Sequence, residues 1–142
     1  KARYTLADVL RYQLGLTGTK IGCNHAECGN CTVVMDGKDV YACTVMAFAA
    51  EGHEIITIEG IAKNTSSLEG LHPIQRAFVL NDGTQCAFCT PGQIMSAYAL
   101  LQTNKNPTET EIRQNLSGNL CRCGNYPNIV KSVVAAAKEM RG

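Results

Sequence analysis

Apolar positions along the chain change period partway through, and that change marks out its organisation. Leu6, Val9, Leu10 and Leu14 recur at helical spacing behind Thr5-Leu6-Ala7-Asp8. That tetrapeptide is a capping box, in which the Thr5 hydroxyl takes an amide at the helix start and Asp8 returns the bond. Gly15 and Gly18 end the helix, and residues 22–31 hold almost no helix or strand former, so they read as a loop. Thr32-Val33-Val34-Met35, Asp36-Gly37 and Val40-Tyr41-Ala42-Cys43 predict a hairpin whose turn uses glycine's freedom at positive φ. Cys43 then lies at the end of the paired strands. Glu54 to Glu59 is a short β-branched strand, and the sheet is expected to close near Ile58. This half is predicted to be a small mixed α+β unit.

From Gly60 to Gly70 the chain is polar and breaker-rich, with Asn64-Thr65-Ser66-Ser67, and beyond it the strand signal disappears. We place a domain boundary there, giving units 1–62 and 63–142. His72-Pro73 opens a helix to about Leu80, with Ile74, Ala77, Phe78 and Leu80 inward, and Asn81-Asp82-Gly83 stops it. Thr90-Pro91 reads as an N-cap followed by Pro at the first helical position, continued by Ile94, Ala97, Tyr98 and Leu101. Thr108-Glu109-Thr110-Glu111 is a further capping box, ahead of Ile112 and Leu116. Pro127 opens the last helix, with Ile129, Val130, Val133, Val134 and Ala137 inward. The second unit is predicted to be a four-helix bundle.

With 142 residues and 45% hydrophobic content, the chain can bury a core. Lys and Arg total 13 against 12 Asp and Glu, a formal charge of +1 that offers no electrostatic reason for a nucleic-acid or anionic-membrane partner. The longest apolar stretch, Val40 to Ala50, is about half the ~20 residues of a membrane span and reads as core. No basic segment followed by an apolar one opens the sequence, so a cytoplasmic, reducing compartment is expected. The sequence begins at Lys1 and opens on a helix, which leads us to expect an N-terminally shortened copy. No nucleophile with a base, phosphate-cradling glycine loop or carboxylate pair stands out. A substrate site and catalytic residues are therefore not expected on this chain.

Eight cysteines alter the picture, because in a reducing compartment such a set binds metal more readily than it forms disulfides. Cys23, Cys28, Cys31 and Cys43 make C-x4-C-x2-C plus a distant fourth, the plant-type [2Fe-2S] pattern. A short loop lets three thiolates converge, and Gly22 and Gly29 permit close approach and unusual φ. Zinc knuckles pair C-x2-C units, and the four-residue gap fits them poorly. Cys86 and Cys89 form C-x2-C before one helix, and Cys121 and Cys123 form C-x-C ahead of another. Spacing alone leaves this second set open between zinc and an iron-sulfur cluster. A thioredoxin-like pair is disfavoured by the absence of a βαβ pattern.

Gly22-Cys23 to Cys31 with Thr32-Val33, Gln85-Cys86-Ala87-Phe88-Cys89-Thr90-Pro91-Gly92 and Gly118-Asn119-Leu120-Cys121-Arg122-Cys123 together resemble the iron-sulfur module of molybdenum hydroxylases. That family includes xanthine dehydrogenase, aldehyde oxidoreductase and carbon monoxide dehydrogenase. The resemblance spans nearly the whole chain, from Leu14 through the last helix. It implies an N-terminal β-grasp, ferredoxin-like [2Fe-2S] domain with one cluster on Cys23, Cys28, Cys31 and Cys43. It implies a four-helix [2Fe-2S]-binding domain with the other on Cys86, Cys89, Cys121 and Cys123. Gln85 and Cys123 match positions that touch the molybdopterin of such enzymes. The implied role is an electron-transfer subunit beside a molybdopterin-binding large subunit and an FAD-binding medium subunit. The helical-domain cluster would take electrons first. Two departures stand out: Gly124-Asn125-Tyr126 replaces the usual Thr-Gly-Tyr, and the family's opening hairpin ahead of Thr5 is missing.

His25, inside the first loop, invites comparison with Rieske ligation, but four cysteines already fill that site. It and His72 read as loop and helix-entry residues. Arg122, between two cysteines, reads equally as a counter-charge or as a solvated side chain. Met35, Met46, Met95 and Met140 share no spacing and read as packing. Two other functions stay in view: a free-standing two-cluster ferredoxin, and a zinc-stabilised module without redox chemistry.

Overall fold

The computed structural model describes residues 3–64 and 66–142; Thr65 of the predicted linker lies outside the described residues. The capping box forms as expected: Asp8 N–H donates to Thr5 Oγ1 at 3.2 Å, and Thr5 N–H donates to Asp8 Oδ2 at 2.9 Å. Helix α1, Leu6–Asp8, then widens into a π-helical stretch over Val9–Gln13. That widening breaks the 3.6-residue spacing. Leu6 and Leu10 are buried, but Val9 is half-buried and Leu14 is 62% exposed, which corrects the expectation of one continuous apolar face.

Strands β1 (Thr32–Met35) and β2 (Lys38–Tyr41) form the predicted antiparallel hairpin. The turn places Asp36 and Gly37 at φ +49° and +79°. Strand β3 is only Ile55–Ile56, paired antiparallel with Val34 and Met35, so the sheet order is β2-β1-β3. The expected strand to Glu59 is cut short because Ile58–Gly60 makes a 3-10 turn. Glu59 holds that turn by accepting from Thr57 Oγ1 at 2.6 Å and from Gly18 N–H at 2.8 Å.

Adjacent residues of β1 serve different cores, since successive side chains leave opposite faces of a sheet. Val33 packs with Leu6, Ala7, Leu10, Ala42 and two cysteines, while Val34 packs among the helices. Helix α3, Thr90–Thr103, lies against that second face, and Ser96 Oγ donates to Asp39 Oδ2 of β2 at 3.0 Å. Sandwiched in this way, α3 buries Gly92 through Ala97 on every side, not along a single stripe.

Around it stand α2 (Pro73–Leu80), α4 (Glu109–Asn115) and α5 (Tyr126–Glu139). Ile74, Ala77, Phe78, Ile94, Leu101, Ile112, Leu116, Ile129, Val130, Val133 and Ala137 fill the core as predicted. Leu80 does not: it is 64% exposed, because the chain turns back through Gly83 onto Phe78 and leaves the last residue of α2 uncovered. His72 caps α2 by accepting from Ile74 N–H at 3.3 Å. Helix α3 starts one residue earlier than predicted, with Cys89, not Thr90, at the N-cap. Among the described residues no helix is long and apolar enough to cross a membrane.

Candidate metal centres

The loop carrying Cys23, Cys28 and Cys31 coils tightly because Asn24, Ala26 and Gly29 take left-handed φ of 60°, 64° and 67°. Such reversals turn successive amides to one side. His25 and Glu27 N–H groups donate to Cys23 Sγ at 3.4 and 3.2 Å, and Cys23 N–H donates to Cys28 Sγ at 3.4 Å. Burial pushes the Cys23 thiol up, but these amides outweigh it and bring the group down to about 6. The His25 ring is exposed and meets the Cys23 carbonyl oxygen, a loop contact.

Cys31 and Cys43 are buried against each other beneath the loop, at 3% and 5% exposure. Burial, then the neighbouring Cys43 thiol, pushes Cys31 up to about 12.

The second set repeats this plan on helix ends. Ala87, at φ 67°, bends Cys86 toward Cys89 just before α3. Cys121, Arg122 and Cys123 turn sharply ahead of α5, where Gly124 at φ 71° lets the chain reverse. Cys89 and Cys121 form the buried pair, and burial pushes Cys89 up to about 12. Burial also pushes Cys121 up, but the amides of Asn125, Cys123 and Gly124, with the Cys89 thiol, bring it below its ordinary value. Cys86 and Cys123 form an exposed pair in mutual contact, and Gln85 and Arg122 are exposed beside them.

Each set therefore offers one inner and one outer pair of thiols. Soft thiolates in two pairs, with amides aimed at sulfur, fit a binuclear iron-sulfur centre, in which each of two irons takes two thiolates. Part of each set lines one cleft of about 370 Å³, Cys23 and Cys28 with Asn30 from the first half and Cys86, Cys89 and Cys121 from the second.

Several residues at this junction escaped sequence reasoning as functional positions. Tyr126 Oη accepts from Cys121 N–H at 2.8 Å, and Tyr41 Oη donates to Gly118 O at 3.2 Å. Asn119 and Gln93 are buried between the sets. Asn125, where the family pattern departs, is buried and donates to Asp82 O at 2.8 Å. Gly92, Gly118 and Asn119 lie inside motifs visible in the sequence, yet only their contacts give them a role.

Residues 1–57 match the 2Fe-2S iron-sulfur cluster binding domain family, and residues 57–134 match the [2Fe-2S] binding domain family. The chain is 47% identical over 99% of its length to the aldehyde oxidoreductase of Megalodesulfovibrio gigas, of which it spans 15%. It is 46% identical over 95% of its length to the nicotine 6-hydroxylase small subunit of Paenarthrobacter nicotinovorans, covering 79% of that protein. Its structure superposes on quinoline 2-oxidoreductase from Pseudomonas putida 86 with a TM-score of 0.92 and 40% identity, covering 99% of this chain and 86% of that one. A ferredoxin-like half with a small sheet, a helical half and eight cysteines in two paired sets thus have one common source: the chain belongs to the iron-sulfur subunits and domains of the molybdenum hydroxylase family of oxidoreductases.

Proposed function

We propose that this chain relays electrons from a molybdopterin centre, through two [2Fe-2S] clusters, to a flavin or another acceptor in a molybdenum hydroxylase complex. Cys23, Cys28, Cys31 and Cys43 hold one cluster in a unit ending near residue 62. Cys86, Cys89, Cys121 and Cys123 hold the other in the unit from residue 63 onward. Bound there, the clusters supply one-electron redox capacity at two fixed points. Amides of His25 and Glu27 at one site, and of Gly124 and Asn125 at the other, stabilise anionic sulfur and bias the potentials.

The observation that carries this reading is that both thiol sets contribute cysteines to one cleft, while each keeps its own exposed side. Cys86, Cys123 and Gln85 open to solvent together, which suits Gln85 and Cys123 to contact a molybdopterin held by a large partner subunit. Asn24, His25 and Glu27 are exposed at the other site, which suits an exit toward an FAD-binding subunit. Electrons then enter at the helical site and leave at the ferredoxin-like one. No membrane partner is expected, and the expected compartment is the cytoplasm.

Purification of the natural complex tests this directly. Molybdenum should co-elute with about four irons per copy of this chain, and the dithionite-reduced complex should give two EPR signals. Iron without molybdenum or a larger partner would support a free-standing ferredoxin instead, and zinc without acid-labile sulfide would exclude a redox role.

A further inference from the structure

One backbone hydrogen bond connects the two cysteine sets directly. The N–H of Leu120 donates to the carbonyl oxygen of Cys28 at 2.9 Å, and Leu120 is bonded directly to Cys121. From the Cys28 thiol to the Cys121 thiol the path runs through covalent bonds and this single contact, with no jump through empty space. Electronic coupling decays far faster across a gap than along bonds, so the position of this amide matters. The Leu120 side chain, 51% exposed, does little to hold it.

Asn119 does hold it. Its side chain is buried, and Nδ2 donates to Gly29 O at 2.9 Å and to Thr32 Oγ1 at 3.2 Å, just beyond Cys28 in the first loop. Its own carbonyl accepts from Gln93 Nε2 at 2.7 Å, and Gln93 is fully buried in the first turn of α3. Asn119 is thus clamped from both halves of the molecule. Two glycines permit the approach: a Cβ on Gly29 would collide with Gly118 O, and one on Gly92 would collide with Gly29 O. A buried carboxamide with this many partners is costly to disturb, which suits it to fixing a geometry.

We infer that Asn119 is a positioning residue for electron transfer between the two sites, holding the Leu120 amide on the Cys28 carbonyl as the bridge. The inference rests on the assignment of one cluster to each cysteine set. One electron crosses: the helical site is oxidised by one electron and the ferredoxin-like site is reduced by one. No bond forms or breaks, and no proton moves.

The test uses the cluster-loaded complex carrying Asn119→Ala, and separately Gln93→Met, which removes the donor to Asn119 while keeping the volume. Two readouts are taken: hydrogen exchange of the Leu120 amide, and the rate at which the two EPR signals equilibrate after rapid partial reduction. Asn119→Ala should keep four irons, both signals and both midpoint potentials. It should expose the Leu120 amide to exchange and slow equilibration several-fold, with Gln93→Met giving a smaller change in the same direction. An amide that stays protected overturns the positioning role, and an unchanged rate with a deprotected amide overturns the bridge. If Asn119→Ala loses iron, Gln93→Met decides by the same two criteria. Failure of the cluster assignment itself would be visible earlier, as wild-type complex lacking two signals.

Discussion

Gly92, in the first turn of α3, packs directly onto the carbonyl of Gly29 in the first cysteine loop. A Cβ at position 92 would collide with that oxygen and stand 3.0 Å from Asn30 Cα. Both obstacles are backbone, so neither can swing aside. Gly92→Ala is expected to cost about 1–3 kcal/mol, as overpacking of a close contact does. It should lower the thermal midpoint of the cluster-loaded protein, and an unchanged midpoint would show that the junction yields more easily than its geometry implies.

Ala87 occupies a conformation that favours glycine, with φ at 67° between Cys86 and Cys89. Left-handed backbone costs an L-residue roughly 1–2 kcal/mol, partly offset by the extra entropy glycine loses on folding. Ala87→Gly should therefore raise stability by up to about 1 kcal/mol, while the β-branched Ala87→Val should lower it. Thermal unfolding of both variants against wild type decides the sign.

His72 should give the fold a pH dependence. Burial first, then the charges of Arg76 and Lys105, hold its imidazole below the ordinary 6.5, and its Nδ1 must stay unprotonated to accept from Ile74 N–H. The unfolded chain then binds the proton more tightly. The stability His72 contributes is complete above 6.5 and is lost as pH falls through the lower folded value. His72→Asn keeps an N-cap acceptor without titrating. The difference in thermal midpoint between variant and wild type should therefore shift in favour of the variant between about pH 7 and about pH 5. A constant difference would remove His72 as the source.

The cysteine sets should fail independently. Cys43→Ser and Cys121→Ser should each reduce iron from about four to about two per chain and abolish one EPR signal, a different one in each case. Loss of the same signal in both variants would contradict the division of the cysteines into two sites.

Most of the elements were legible along the chain because their signals are local. Thr5 with Asp8, and Thr108 with Glu111, cap helices through contacts within one turn, and Asp36-Gly37 sets a hairpin by its own φ values. The errors came where a helix departed from its regular period or the chain turned back at its end. Leu14 left its face because the helix widened to a π turn, and Leu80 stayed exposed because the chain folded back beneath it through Gly83.

The site divides in the same way. Cys23, Cys28, Cys31 and Cys43 announce their chemistry by spacing, since one short loop brings three of them together. The set from Cys86 to Cys123 needed family resemblance, because its two halves lie on different helix ends and only the packing of α3 and α5 joins them. By itself the sequence determined which residues are candidate metal ligands and where most helices and strands lie, for these depend on side-chain chemistry and neighbouring residues. Tertiary structure alone decided that β1 serves two cores through Val33 and Val34, and that Gly29, Gly92 and Gly118 meet with no side chain between them. It alone clamped Asn119 between the sites. Those contacts join residues far apart in the chain, and no local pattern records them.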